Sequence, residues 1–212
     1  MSQLKIPFLK ELSADNPSST VMSLLTSGVA IQIDKLNWKE YPHLVEAKVA
    51  LGYDHKYLLL HYEVKDDLLK AVYRQDQEPV WQDSCVEFFI KQGELYRNFE
   101  FNALGVCLSA SGVDRHARKS LDQDSLSGIL RFPSLSTETL PVENTPADWS
   151  LTVAIPLKLI GLKAGDEFSA NFYKCGDETA IPHYISWSEI KTANPDFHQP
   201  TWFGLAKLEV TI

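Results

Sequence analysis

The chain has 212 residues, of which 44% are hydrophobic and 23% charged, so one large domain with a sizeable core is expected. The 28 acidic and 20 basic residues give a net charge of -8, which argues against a nucleic-acid-binding surface, because phosphate neutralisation needs clustered Lys and Arg. Cys85, Cys107 and Cys175 are odd in number and lack any CxxC spacing, which argues against a disulfide framework or a structural zinc site and leaves small semi-buried thiols as the plain reading.

The N-terminal residues show no sustained apolar region and no small-residue cleavage site, and no stretch approaches membrane-spanning length. The expectation is a soluble, cytoplasmic chain without membrane contact, or a secreted or periplasmic one if a leader was removed. Asn16-Pro17-Ser18-Ser19 is a turn signal, and Val21 to Leu25 suits a short helix and a strand equally. Ala30-Ile31-Gln32-Ile33-Asp34 alternates as a strand, and Trp38 anchors the following connection by packing.

Val45, Ala47, Val49 and Leu51 alternate, Asp54-His55 makes a tight turn, and Lys56 to Val64 returns as a strand that Lys65-Asp66-Asp67 ends. Leu68 to Gln75 reads as a loop or short helix leading to Pro79. Two period-two runs follow: Val86, Phe88 and Ile90 alternate with Cys85, Glu87 and Phe89, and Arg97, Phe99 and Phe101 alternate with Asn98, Glu100 and Asn102. Lys91 to Glu94 between them suits a hairpin, which would place Glu87, Asn98, Glu100 and Asn102 on one sheet face with Trp81 at the strand entrance. Hydrogen-bonding groups beside a partly exposed indole suit a sugar. On these two strands alone, a solvated outer face is the preferred reading.

Gly105 to Ser111 extends the meander, and the basic segment from Gly112 to Gly128 reads as a solvated loop able to lend an Arg to ligand oxygens. Ile129 to Phe132 is a strand, Ser134 to Ala147 a loop, Trp149 to Pro156 a strand, and Leu157 to Gly161 at most one helical turn. Phe168, Ala170 and Phe172 alternate with Ser169, Asn171 and Tyr173; Ile185 to Ser188 and Phe203 to Val210 close the chain as strands, with Trp187 directed to the core. Many short strands without long 3.6-residue periodicity indicate an all-β, antiparallel β-sandwich.

Trp81-Gln82-Asp83-Ser84-Cys85-Val86-Glu87, Asn98-Phe99-Glu100-Phe101-Asn102, Asn171 to Asp177, Ile185-Ser186-Trp187-Ser188 and Pro195 to Gly204 together resemble carbohydrate-binding module family 9, in a bacterial branch of family 9-like (DOMON-like) domains. The resemblance covers about residues 30–212. It implies a jelly-roll type sandwich over residues 1–212, with 1–29 an N-terminal extension packed on it. It further implies a non-catalytic module that holds a mono- or oligosaccharide, or a chain end, between two aromatic side chains. The Trp-x-x-x-x-x-Glu pattern matches Trp81 and Glu87, the second aromatic maps to Phe197, and Asn194 takes a sugar-contacting position. The implied ligand set is Trp81, Glu87, Asn98, Glu100, Asn171, Tyr173, Asn194 and Phe197, with the acidic acceptors favouring a neutral saccharide. Two departures alter the site: family members carry an Arg where this chain has Glu100 and a Gln near Tyr173, and a carboxylate cannot donate as a guanidinium does. Structural calcium occurs in the family, but no residue set is assigned to it here and no EF-hand spacing exists.

Three other readings stand beside this one. The sandwich could be a protein-interaction or vestigial domain. Related DOMON-like sandwiches hold haem, yet Met1 and Met22 lie outside the matched region and no CxxCH occurs. Asp83, Glu87 and Glu100 could supply a glycosidase carboxylate pair, given the right separation. His183, His198 and Cys175 share no metal-ligand spacing.

Overall fold

A computed structural model describes residues 3–9, 17–140 and 143–210; Asn16, part of the expected turn, lies outside them. The elements in chain order are β1 (Leu4–Ile6), α1 (Pro17–Ser27), β2 (Val29–Ile33), β3 (Lys35–Leu36), β4 (Glu46–Tyr53), β5 (Tyr57–Leu69), β6 (Cys85–Gln92), β7 (Leu95–Asn102), β8 (Cys107–Gly112), β9 (Arg118–Ser120), α2 (Gln123–Ser127), β10 (Leu130–Pro133), β11 (Thr145–Pro156), α3 (Leu157–Ile160), β12 (Glu167–Gly176), β13 (His183–Ser186) and β14 (Gly204–Leu208).

The strands form two sheets. One runs β1-β14-β12-β6-β7-β8-β9, with β13 and β3 continuing from β12; the other runs β10-β11-β5-β4-β2. Pairing is antiparallel throughout except where β1 joins β14. The inward faces meet in one core, where Phe88 stacks on Phe99 at 6.0 Å and on Phe172 at 5.2 Å between ring centroids. Such pairs add about 0.5–1.5 kcal/mol each beyond area burial, so the β12-β6-β7 trio is a rigid platform. The two-residue turn between β6 and β7 fixes their register, and Gly93 takes the left-handed φ of 65° that it requires.

Of the two forms that Val21 to Leu25 suits, the structure shows the helix: it lies in α1, which packs on β4 and β5. Trp187 packs against the core as expected, just past β13, half-buried and edge-on to Phe172 at 5.7 Å. Two expectations are corrected. Lys65-Asp66-Asp67 does not end its strand, because β5 continues to Leu69 alongside the long β11. The segment from Gly112 to Gly128 is not simply a solvated loop: β9 adds an edge strand to β8, and Asp122 caps α2 by accepting from the Ser125 amide.

One charged group enters the core. Lys174, fully buried on the inward face of β12, places its ammonium 3.2 Å from Asp66 of the opposite sheet and 2.7 Å from His183 Nε2. Burial, reinforced by the Lys174 charge, depresses the His183 imidazole to about 3. The ring is therefore neutral, with Nε2 accepting from Lys174 and Nδ1 donating to the Ile181 carbonyl at 3.0 Å. Although burial opposes it, the same ammonium holds the Asp66 carboxyl down at about 2. The result is a paired charge, which a dry interior tolerates.

Candidate functional site

Register sets out the site as three rows across β12, β6 and β7. Asn171, Phe89 and Asn98 form the first, Tyr173, Glu87 and Glu100 the second, and Cys175, Cys85 and Asn102 the third. Paired residues point to the same face, so all nine side chains share the outer surface of the sheet. That surface is not the solvated face that the two strands alone suggest: Glu87 and Glu100 are each only 3% exposed, and Asn98, Asn102 and Asn171 are buried. The chain after β13 folds over it. Trp38, Val80, Phe89, Tyr96, Tyr173, Ile190, Phe197 and Phe203 form a second hydrophobic cluster beneath that cover.

Each polar residue of the first row holds the cover or the floor in place. Asn171 donates to the Ser188 carbonyl at 3.0 Å and accepts from the Ser188 amide at 2.8 Å, pinning the start of the late segment. Phe89 supports His198 at 4.9 Å, and Tyr96 Oη bonds His198 Nδ1 at 3.0 Å. Asn98 donates to Glu100 Oε1 at 2.9 Å and accepts from Arg118 of β9 at 2.9 Å. At the far corner, Asn102 and Asp83 are spent on the loops: Asp83 Oδ2 accepts from the Val72 and Tyr73 amides and from Asn102 Nδ2.

What remains is a pocket of about 240 Å³ over the second and third rows. Glu87, Glu100 and Cys175 form its floor, Trp81 and Asp177 one side, Tyr184 and Phe197 another, and Arg115, Arg118, Asp196 and His198 the remainder. Trp81 is carried on a short 3-10 turn, and its carbonyl receives the Asp177 amide at 3.2 Å. Its side chain is 36% exposed. Phe197 is 9% exposed, because its ring lies flat on Tyr173 and meets Trp38 and Tyr184 at its margins.

Of the residues expected from sequence, Trp81, Glu87, Glu100 and Phe197 line one pocket. Asn98 and Tyr173 lie directly behind it, Asn171 serves as the Ser188 clamp, and Asn194 is exposed on the late loop with its carbonyl accepting from Thr192. Sequence reasoning missed Asp177, Tyr184, Asp196 and His198. It located Arg115 and Arg118 only as members of a basic segment beside the face; nothing in the residue spacing ties Arg118 to Asn98. Arg118 nevertheless brings a guanidinium to Asn98, which in turn donates to Glu100.

Electrostatics set the character of the pocket. Burial raises the Glu87 carboxyl well above the usual carboxylate range, with Cys175 and Glu100 adding to the effect. Burial also raises Glu100 to about 7, against the pull of Arg118. Asp177 is raised by burial to about 6, and His198 is depressed to about 3 by burial and the two arginines. Burial thus favours the neutral forms of Glu87 and His198, and Arg115 is paired with Asp196 at 3.4 Å, so the pocket carries little net charge. Glu100 Oε2 is buried and has no hydrogen-bond partner. Unmet acceptors of this kind are costly and rare.

Among the described residues, the one tight cluster of His, Cys, Asp or Glu side chains, Cys85-Glu87-Cys175, includes two thiols, whereas calcium takes oxygen donors. No described helix is long and apolar enough to cross a membrane.

The pattern of carbohydrate-binding family 9 matches residues 21–208. A protein from Bacteroides uniformis, itself described only as a candidate carbohydrate-binding protein, is 32% identical with a TM-score of 0.89, covering 98% of this chain and 99% of its own. A family 9 module from Caldicellulosiruptor kristjanssonii in complex with cellotriose shares the fold at 14% identity and a TM-score of 0.63, covering 100% of this chain and 95% of its own. The structure of such a module from the same organism with glucose gives 14% and 0.61, with coverage of 100% and 97%. No curated protein matches the chain.

Proposed function

The chain belongs to carbohydrate-binding family 9, and from that premise we propose that it binds a neutral saccharide in the Trp81–Glu100 pocket without transforming it. The observation that carries this reading is that Glu100, whose buried Oε2 has no hydrogen-bond partner, lines the same pocket as the partly exposed Trp81 indole. A sugar ring brings both complements: a hydroxyl to donate to the oxygen and a C–H face to lie on the indole. Arg118, Asp177 and His198 offer further donors and acceptors around it.

The aromatic contact is unequal. Trp81 is the platform, while Phe197, already stacked on Tyr173, offers a margin. A volume of about 240 Å³ falls below the usual range of roughly 300–1,000 Å³ for drug-sized ligands and suits one ring, free or at a chain end. The low net charge favours neutral sugars over uronic acids. Glu87 and Glu100 serve as hydrogen-bonding groups in this assignment; with both carboxyls raised by burial, neither is the fully ionised partner that glycoside hydrolysis requires.

A glycan array spanning neutral, uronic and amino sugars tests the proposal. Retention confined to neutral saccharides is expected. An array on which only acidic sugars are retained, or none at all, overturns it.

A further inference from the structure

We propose that Cys85, Cys175 and Glu87 form a site for one thiophilic divalent ion of the zinc class on the pocket floor, its fourth coordination position facing the opening. This inference does not rest on the saccharide reading, although the ion would take Glu87 from the groups left to bond a sugar. It begins with register: Cys85 and Cys175 are direct cross-strand partners on β6 and β12, and Glu87 follows Cys85 by two residues on the same face. Far apart in sequence, the two thiols are brought together only by sheet pairing.

The ligand atoms of the three residues all lie within 4.8 Å of one another, and Cys175 Sγ is 3.1 Å from Glu87 Oε1. Tetrahedral zinc, with bonds of about 2.3 Å to sulfur and 2.0–2.2 Å to oxygen, needs ligands about 3.5–3.8 Å apart. The Cys175–Glu87 separation lies a little below that spacing and every other pair within 4.8 Å, so side-chain rotations suffice to close the site. Two thiolates and a carboxylate on three adjacent corners leave the fourth to solvent or a ligand, the arrangement of an open rather than a closed zinc centre.

Local context favours the ion. Glu87 is buried, and among the described residues no Lys, Arg or His lies within ion-pair distance of it. Metal binding is coupled to release of the ligands' protons, so the ion enters as the Glu87 carboxyl and the two thiols deprotonate. The thiols are set apart from Cys107 in the same way. Cys107 packs in the apolar inter-sheet core, whereas Cys85 and Cys175 share the outer face with carboxyl groups, and Cys175 reaches the pocket. Lys174, whose ammonium sits 2.9 Å from the Cys175 carbonyl, offsets part of the negative charge of the deprotonated set.

The test is equilibrium dialysis of the reduced protein against zinc at micromolar free concentration, with cadmium substitution to record thiolate-to-metal charge-transfer absorption. One ion per chain is expected, with a cadmium band of two-thiolate intensity. Cys85→Ser and Cys175→Ser should each weaken binding at least tenfold, whereas Cys107→Ser should bind as wild type. Glu87→Gln keeps both thiols and tests the site even if a serine variant fails to fold: the cadmium band should persist while affinity drops tenfold or more. Absence of stoichiometric binding by the reduced wild type overturns the proposal, as does undiminished binding by the Cys85/Cys175 double variant.

Discussion

The Phe197 ring lies parallel to Tyr173, 4.1 Å away at 8°, while Tyr173 Oη donates to the Phe197 carbonyl at 3.1 Å. Ring and backbone of the late loop are thus both fastened to β12, and Phe197 is first a structural pin. Phe197→Ala should destabilise the protein by about 2–5 kcal/mol, the cost of deleting a packed aromatic. Chemical denaturation checks this, and a loss under 1 kcal/mol contradicts the pinning role.

Glu100 should matter to the ligand and little to the fold. Its Oε2 has no partner to lose, and Oε1 accepts only from Asn98 among the described residues. Glu100→Ala should weaken saccharide binding about tenfold, one lost hydrogen bond being worth ~0.5–1.5 kcal/mol. Far-ultraviolet circular dichroism should be unchanged. Unaltered affinity would place the sugar elsewhere.

Asn171 is expected to act in the opposite sense. Its side chain closes two hydrogen bonds with Ser188 in a buried setting. Asn171→Ala leaves the Ser188 amide unpaired there, at about 1–3 kcal/mol, while the Ser188 carbonyl keeps the Ser186 hydroxyl at 2.6 Å. Hydrogen exchange should accelerate across 187–203 before it does in β6 or β7. Exchange that remains uniform would show that the cover holds without this clamp.

Acid should unfold the protein through His183. Its pKa is depressed to about 3 in the fold, so the stability it contributes is complete above its unfolded value of about 6.5. That contribution falls by up to ~1.4 kcal/mol for each pH unit below. Asp66, held at about 2, adds a loss that begins lower, below its unfolded pKa near 4. His198 acts in the same sense, and the raised carboxyls of Glu87, Glu100 and Asp177 in the opposite one, so the readout is the variant difference: in urea titrations at pH 7, 6, 5 and 4, His183→Gln should change the slope between pH 6 and 4 by about one proton relative to wild type. An unchanged slope in that variant contradicts the assignment.

Much of the architecture was legible because period two is a local signal. The alternation of Val86, Phe88 and Ile90, the turn at Gly93 and the alternation of Phe99 and Phe101 are enough to draw the β6-β7 hairpin. The burial of the opposite face was not legible: Glu87 and Glu100 look like solvent-facing residues until the chain past Ser186 folds over them, and no strand pattern reports a distant cover. Trp81 was placed at the strand entrance by the two period-two runs and assigned a binding role by family resemblance, which alone supplied Phe197. Arg118 lies three strands from Glu87, and its approach to Asn98 depends on how β9 joins β8. The convergence of Cys85 and Cys175 depends likewise on which strand becomes the neighbour of β6.

The central claim is that a saccharide rests on the Trp81 indole, and calorimetric titration of wild type and Trp81→Ala with a neutral saccharide retained on the array tests it most directly. Trp81 is exposed enough that its removal should shift stability by no more than about 0.5–1 kcal/mol, so the variant reports binding and not folding. Saturable binding by wild type at one site, with affinity lost at least tenfold in the variant, is the expected result. Equal affinity in the two proteins would contradict the account.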